Sequence, residues 1–264
     1  MKPTRNLFLL LAISAFAHSA APAQAPYSQA EDERILKLYE GLRVADVSDG
    51  MDVAGLPDIG LMDPRITPLW RDLEDFKHQF RGIAVTARYV PTNRGVQTMS
   101  PEEFKEWEGK WYSQLSPESF VPLLRPGSAI VIDDAGSGDT GTIGSNNSLF
   151  WKSKGAVGIV TSGGARDTDE IIKEEIPLYF SGVGRGIRPG RNELESVNEP
   201  VMVGGVLVRP GDIVVADGDG VIIVPRGKAE AVAKAAREVL ESDKAGRRRL
   251  YEQLGMPLDK TVEP

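Results

Sequence analysis

Apolar and polar positions along the chain predict an alternating order of helices and strands. Residues 31–42 place Ile35, Leu36, Leu38, Tyr39 and Leu42 at helical spacing. Asp46-Val47-Ser48-Asp49-Gly50 reads as a cap or turn, and residues 55–65, with Pro57, Gly60 and Pro64, as loop. Residues 82–90 alternate and are β-branched, which predicts a strand. Ser100-Pro101-Glu102-Glu103 has the form of a helix start, and Phe104, Trp107, Trp111 and Tyr112 then recur at helical spacing. Two readings stay open for this aromatic stretch, residues 92–115: a lid over a site, or an amphipathic helix packed on the body or on a neighbouring subunit.

Ser116-Pro117-Glu118 predicts another short helix. Arg125-Pro126-Gly127-Ser128 then turns the chain into a strand over 129–133, and Arg209-Pro210-Gly211-Asp212 does the same before 213–217. Both phrases suit type II turns. Further strands are expected at 157–161 and 177–180, and a short helix at 170–174. Hairpins are expected around Gly204-Gly205 and around Asp217-Gly218-Asp219-Gly220, and a closing helix over 226–254. Interleaved strands and helices with no dividing linker predict one compact α/β domain with a mixed sheet and flanking helices.

The N-terminus carries a different signal. Lys2 and Arg5 precede the apolar run Leu7-Phe8-Leu9-Leu10-Leu11-Ala12-Ile13, and Ala21-Pro22-Ala23 offers small residues for cleavage. Residues 1–23 are expected to be a signal peptide, with a periplasmic or secreted mature protein over 24–264. The apolar run is short for a bilayer, so no membrane span is expected once it is removed. The chain has no cysteine, so the core must supply stability without disulfides.

Composition narrows the chemistry. A net charge of −7 argues against a broad nucleic-acid face. The basic cluster Arg247-Arg248-Arg249 reads as complementing the end of a helix. Beyond residue 23 the only histidine is His78, read as a surface or satisfied structural residue. A histidine-rich zinc site and a Cys-His pair are excluded. No G-x-S-x-G elbow or phosphate loop is present, and Gly182-Val183-Gly184-Arg185-Gly186 lacks dinucleotide spacing. Carboxylate, arginine and backbone-amide chemistry remain, which suits an oxygen-preferring cation and an anionic ligand.

Two segments concentrate that chemistry. Gly141-Thr142-Ile143-Gly144-Ser145-Asn146-Asn147-Ser148 is a run of small residues, and Thr161-Ser162-Gly163-Gly164-Ala165-Arg166-Asp167 joins a strand to a helix. Glycine-rich backbone can aim amide hydrogens at one point, Arg166 can clamp an anion, and Asp167 can hold a cation. Plainer readings stand beside these. Asp167 with Glu170 forms a capping-box pattern, Arg166 can pair with an acid, and Ser145-Asn146-Asn147 can be an ordinary turn.

The stretch Lys154-Gly155-Ala156-Val157-Gly158-Ile159-Val160 followed by Thr161-Ser162-Gly163-Gly164-Ala165-Arg166-Asp167 resembles the signature of the RraA-like family. That family includes 4-hydroxy-4-methyl-2-oxoglutarate aldolases, oxaloacetate decarboxylases and the regulator of ribonuclease activity A. The resemblance extends to Ala45-Asp46-Val47-Ser48-Asp49, Gly82-Ile83-Ala84-Val85-Thr86, Pro210-Gly211-Asp212 and Asp217-Gly218-Asp219-Gly220-Val221, leaving residues 92–115 as an insertion. It implies a homotrimer or homohexamer with sites at subunit interfaces, and a small anionic 2-oxo acid as substrate. It further implies that Gly144, Ser145, Asn146 and Asn147 bind substrate, that Arg166 binds it and is catalytic, and that Asp167 ligates Mg2+ or Mn2+. The implied activity is a metal-dependent lyase that cleaves or decarboxylates a pyruvate-type acid. The alternative is a non-catalytic binding or regulatory protein of the cell envelope. One departure stands out: active members carry an acidic residue 21 positions before the arginine, and here that position is Ser145.

Overall fold

The computed structural model describes residues 27–263, so the expected signal peptide lies outside the described residues. In chain order the first half comprises α1 (Gln29–Leu38), α2 (Val44–Val53), β1 (Thr67–Pro68), β2 (Phe80–Pro91), α3 (Pro101–Lys110), β3 (Ser128–Asp133), β4 (Gly141–Ile143) and α4 (Ser145–Ser153). Then follow β5 (Ala156–Thr161), β6 (Gly164–Ala165), α5 (Thr168–Lys173), β7 (Leu178–Phe180), β8 (Gly182–Val183) and β9 (Asn192–Val197). The chain closes with β10 (Val201–Val203), β11 (Val206–Val208), β12 (Ile213–Asp217), β13 (Gly220–Val224) and α6 (Ala229–Leu254).

A mixed sheet in the order β1-β7-β5-β3-β2-β12-β13 organises these elements, with β9 added to the long strand β2. Pairs β2/β3, β3/β5 and β5/β7 are parallel, and β12 joins β2 and β13 antiparallel. This is the α/β architecture expected from the sequence. Strand period 2 sorts the core residues. Ile213, Val215, Ile222 and Val224 face α1, α2 and α6, whereas Val214, Ala216, Val221 and Ile223 face the β10–β11 hairpin. A third cluster, with Ile130, Ile132, Phe120, Trp151 and Ile171, packs where α4 and α5 cover the sheet.

The two Pro-Gly phrases are type II turns, with Gly127 and Gly211 at φ +88° and +92°. Ser128 N donates to Arg125 O at 3.0 Å and Asp212 N to Arg209 O at 3.1 Å.

Several expectations need correction. Residues 44–53 form helix α2 rather than a cap or turn. Asp, Ser and Gly are weak helix formers, but Val44, Val47 and Met51 share one buried face and tertiary packing overrides propensity. Gly50 is required there, because a Cβ would lie 2.8 Å from Val232 O and 2.9 Å from Ala236 N of α6. The helix expected after Ser116 is only a 3-10 turn at Val121–Leu123. Strand β9 was not anticipated, because its sequence is polar and it pairs only with the overhang of β2. Arg247-Arg248-Arg249 do not lie in the last turn of α6, which contains no basic residue. Arg247 instead donates to Thr261, and Arg248 pairs with Glu252. Of the two readings of His78, the satisfied structural residue holds: it is buried, its Nδ1 accepting from Asp72 N at 3.1 Å.

Beyond β2, Ser100 caps α3 in a reciprocal box with Glu103, and the helix runs on into a π-helical turn at Trp111–Leu115. Trp111 is buried, and its Nε1 donates to Asn192 O at 2.9 Å. Trp111 thus anchors the end of the stripe to the body, while α3 buries none of its residues and Phe104 is 40% exposed; the same turn brings Tyr112 to the cleft described next.

Candidate functional site

Three short parallel strands, β4, β6 and β8, form a second small sheet whose carboxyl ends meet at one place. Ligands of α/β folds commonly bind in the crevice outside strand carboxyl ends. The strands are held unusually close. A Cβ at Gly184 would lie 2.2 Å from Thr140 O, and one at Gly141 would lie 2.5 Å from Gly184 O.

The chain leaves β4 through Gly144 and enters α4 directly, so Ser145, Asn146 and Asn147 are the first turn of a helix, not a loop. Asn147 Oδ1 accepts from Gly144 N at 2.7 Å. The chain leaves β6 through Arg166 and Asp167. Arg166 N donates to Ile143 O at 2.8 Å, which locks the two exits side by side. Asp167 precedes α5 in the left-handed region (φ +56°), and its side chain makes no cap there. The capping-box reading of Asp167 and Glu170 is thus not realised. Its Oδ2 instead accepts from Ser145 N at 3.2 Å, at the positive end of α4. Arg166 Nε lies 3.7 Å from Asp167 Oδ1, and both side chains are more than a third exposed.

Gly144, Asn146, Asn147, Arg166 and Asp167 line one cleft of about 200 Å³. Ser145 contributes its backbone amide to Asp167, and its side chain is not part of the lining. The cleft also contains residues that the sequence reading did not assign: Tyr112, Glu118, Thr142 and Arg188. Glu118 gathers three N–H donors. Arg188 Nη2 and Asn147 Nδ2 reach its Oε1 at 2.7 and 3.2 Å, and Trp151 Nε1 reaches Oε2 at 2.8 Å. The Arg188 side chain is only 8% exposed, and its guanidinium lies over the Tyr112 ring at 5.0 Å. Burial pushes the Tyr112 phenol above its ordinary range, opposed by the charges of Arg188 and Arg166.

Behind the cleft, Thr142 Oγ1 donates to the buried carboxylate of Asp134, which also accepts from Asn192 Nδ2 at 3.1 Å. Burial raises Asp134 above the usual carboxylate range. Gly163 must be small, because a Cβ would fall 2.6 Å from Asp134 Oδ2. The signature glycines therefore serve close packing around the site.

Only the aromatic stripe had pointed toward Tyr112. Glu118 looked like an ordinary helix start, and Arg188 followed a glycine-rich loop with no motif of its own. A larger groove, about 680 Å³ and lined by Lys37, Phe80, Lys152 and Val157, lies elsewhere. It shares no lining residue with the cleft.

Among the described residues no cluster of three or more His, Cys, Asp or Glu side chains is poised to hold a metal. That does not conflict with a Mg2+-type ion, which uses one or two carboxylates and completes its shell with water and substrate oxygen. Asp167, with one oxygen directed by a helix amide and its side chain 39% exposed, fits the role of a single protein ligand.

The first turn of a helix, a guanidinium and a carboxylate thus meet at the ends of parallel strands and line one cleft of an α/β scaffold. The chain belongs to the RraA-like family, whose model (Aldolase/RraA) matches residues 44–223. A Deinococcus radiodurans protein bearing the provisional name 4-hydroxy-4-methyl-2-oxoglutarate aldolase is 34% identical over 156 residues, 58% of this chain and 82% of its own. A Halalkalibacterium halodurans protein with the same provisional name is 30% identical over 142 residues, 53% of this chain and 67% of its own. The matched region spans only 27% and 59% of two further relatives. Among solved structures, Streptomyces coelicolor RraAS2, described as an unusual member of the RNase ES inhibitor RraA protein family, superposes with a TM-score of 0.64 at 25% identity. That alignment covers 83% of this chain and 98% of RraAS2.

Proposed function

We propose that this protein is a divalent-metal-dependent lyase that breaks a carbon–carbon bond of a small pyruvate-type 2-oxo acid. The observation that carries the reading is the convergence of Arg166, Asp167 and the first turn of α4 on one cleft. Its volume suits an acid of a few carbons.

The residues divide the work. Arg166 offers a planar fork to the carboxylate or the 2-oxo oxygen of the acid. The start of α4, where Gly144 and Asn146 line the cleft, adds positive potential where enolate charge develops. Asp167 would hold Mg2+ or Mn2+, which when bound polarises the 2-oxo carbonyl. Asn147, held by Gly144 N and by Glu118, keeps the first turn of α4 in register with Arg166. Preorganised donors of this kind are commonly worth about 3–4 kcal/mol each in the transition state.

The mature protein is proposed to act in the periplasm or outside the cell, as a homotrimer or homohexamer. Among the described residues, no helix is long and apolar enough to cross a membrane. The test is pyruvate release by the purified protein with Mg2+ or Mn2+, followed across 4-hydroxy-2-oxo acids and oxaloacetate. Release should vanish with chelator and fall at least 100-fold in Arg166→Ala and Asp167→Ala. Absence of turnover across the panel overturns the lyase reading. A second reading, a non-catalytic binder of the cell envelope, is favoured by Ser145 at the position where active relatives carry an acid. Metal-dependent oxalate uptake without turnover would select it.

A further inference from the structure

Breaking a carbon–carbon bond next to a 2-oxo group leaves an enolate, which must gain a proton at C3 before pyruvate can leave. A general acid is therefore required, and cleavage of a 4-hydroxy acid also requires a base for its hydroxyl proton.

Two carboxylates line the cleft, and neither stands free as a base. Glu118 already accepts from Arg188, Asn147 and Trp151. Asp167 accepts from the Ser145 amide and lies beside Arg166. Thr142 spends its hydroxyl proton on Asp134. The guanidinium groups of Arg166 and Arg188 do not surrender protons in water. One O–H remains, that of Tyr112. The Arg188 guanidinium lies over its ring at 5.0 Å and can only donate, so it leaves the hydroxyl's own proton for another acceptor. Both Arg188 and Arg166 act on Tyr112 through their positive charge. That charge stabilises a phenolate formed for a moment, while burial otherwise keeps the group protonated at neutral pH.

Resting on the lyase reading above, we infer that Tyr112 is the proton donor to the enolate, and that the cleft therefore favours decarboxylation of a 3-carboxy-2-oxo acid over cleavage of a 4-hydroxy-2-oxo acid. The C3–C4 bond breaks, carbon dioxide leaves, and the bonding pair becomes the enolate. The enolate C3 takes the proton from Tyr112 Oη, and the phenolate regains one from water. The balance is one 2-oxo diacid dianion and one proton in, one pyruvate anion and one carbon dioxide out. No base is needed. The tyrosine comes from the π-helical turn that ends the insertion, which gives that segment a chemical task.

The test uses the full protein with Mg2+, comparing wild type with Tyr112→Phe. Three readouts are taken: carbon dioxide release from oxaloacetate, exchange of pyruvate methyl protons in D2O by proton NMR, and oxalate affinity by calorimetry. Wild type should exchange pyruvate protons and turn over oxaloacetate at least tenfold faster than 4-hydroxy-4-methyl-2-oxoglutarate. Tyr112→Phe should bind oxalate within about twofold of wild type yet exchange protons about 100-fold or more slowly, the usual scale of a lost general acid. Exchange at the wild-type rate in Tyr112→Phe overturns the assignment of the donor and leaves the lyase reading standing. Faster cleavage of the hydroxy acid than of oxaloacetate overturns the substrate preference. A wild type that neither cleaves nor exchanges overturns the lyase reading and the role of Tyr112 with it.

Discussion

Asp167 stands at the start of α5, yet its carboxylate serves α4, with Oδ2 3.2 Å from the Ser145 amide nitrogen. A left-handed backbone at a non-glycine residue costs free energy and persists only where the surroundings impose it. Here it turns the carboxylate away from its own helix and into the cleft.

Gly144 makes this placement possible. A Cβ there would sit 2.8 Å from Asp167 Oδ2, in a backbone conformation (φ −132°) that alanine tolerates. Gly144→Ala should therefore cost little stability, within about 1 kcal/mol. It should weaken Mn2+ binding about 10–100-fold, the range seen when the support of a metal ligand is disturbed. Electron paramagnetic resonance titration with Mn2+ reads the loss directly.

Arg166→Lys keeps the charge and removes the fork. A point charge cannot reproduce two parallel hydrogen bonds to a carboxylate. Oxalate should bind roughly 10–100-fold more weakly, the equivalent of one charged hydrogen bond. Calorimetry at fixed salt provides the comparison, and unchanged affinity would remove Arg166 from the ligand.

Glu118→Ala should destabilise the fold as well as the site. It leaves the Arg188 guanidinium, with a side chain 8% exposed, without its carboxylate. Stranding one partner of a fully buried pair costs roughly 3–5 kcal/mol. Glu118 is 20% exposed, so a loss nearer 2–3 kcal/mol is expected. Urea unfolding measures it. Glu118→Gln, which retains an acceptor for Trp151 or Arg188, should recover part of the loss.

His78 predicts a pH dependence. Burial, chiefly, holds its imidazole below the ordinary value of 6.5, and Nδ1 accepts from Asp72 N, which requires the neutral ring. Below pH 6.5 the unfolded chain therefore binds a proton that the folded chain resists. Stability from this group is complete above that pH and is lost as pH falls toward the depressed folded value. The urea midpoint should fall across this window, and His78→Gln should flatten the slope.

Much of this fold was legible along the chain because its signals are local. The Pro-Gly turns before β3 and β12, the Ser100 capping box and the Gly204-Gly205 hairpin each depend on neighbours in sequence. Helix α2 was not legible, because its weak helix formers are held by Gly50 pressed onto α6, some 180 residues away. The site divided in the same way. Arg166, Asp167 and residues 144–147 lie in small-residue segments that advertise close backbone approach. Glu118 and Arg188 are separated by 70 residues and meet only in the folded chain.

By itself, the sequence determined the periodicity of the strands, the turns between them and the stock of chemistry: no cysteine, one histidine beyond residue 23, and a reliance on carboxylate, arginine and amide groups. The tertiary structure decided which of those groups act together. It docked Asp167 on a neighbouring helix and not on its own, engaged Glu118 in holding Arg188 and Asn147, and brought Tyr112 from the turn after α3 to the cleft. The physical reason is that a turn or a cap draws its free energy from residues a few positions apart, whereas a converging site draws it from surfaces that become neighbours only when the core packs.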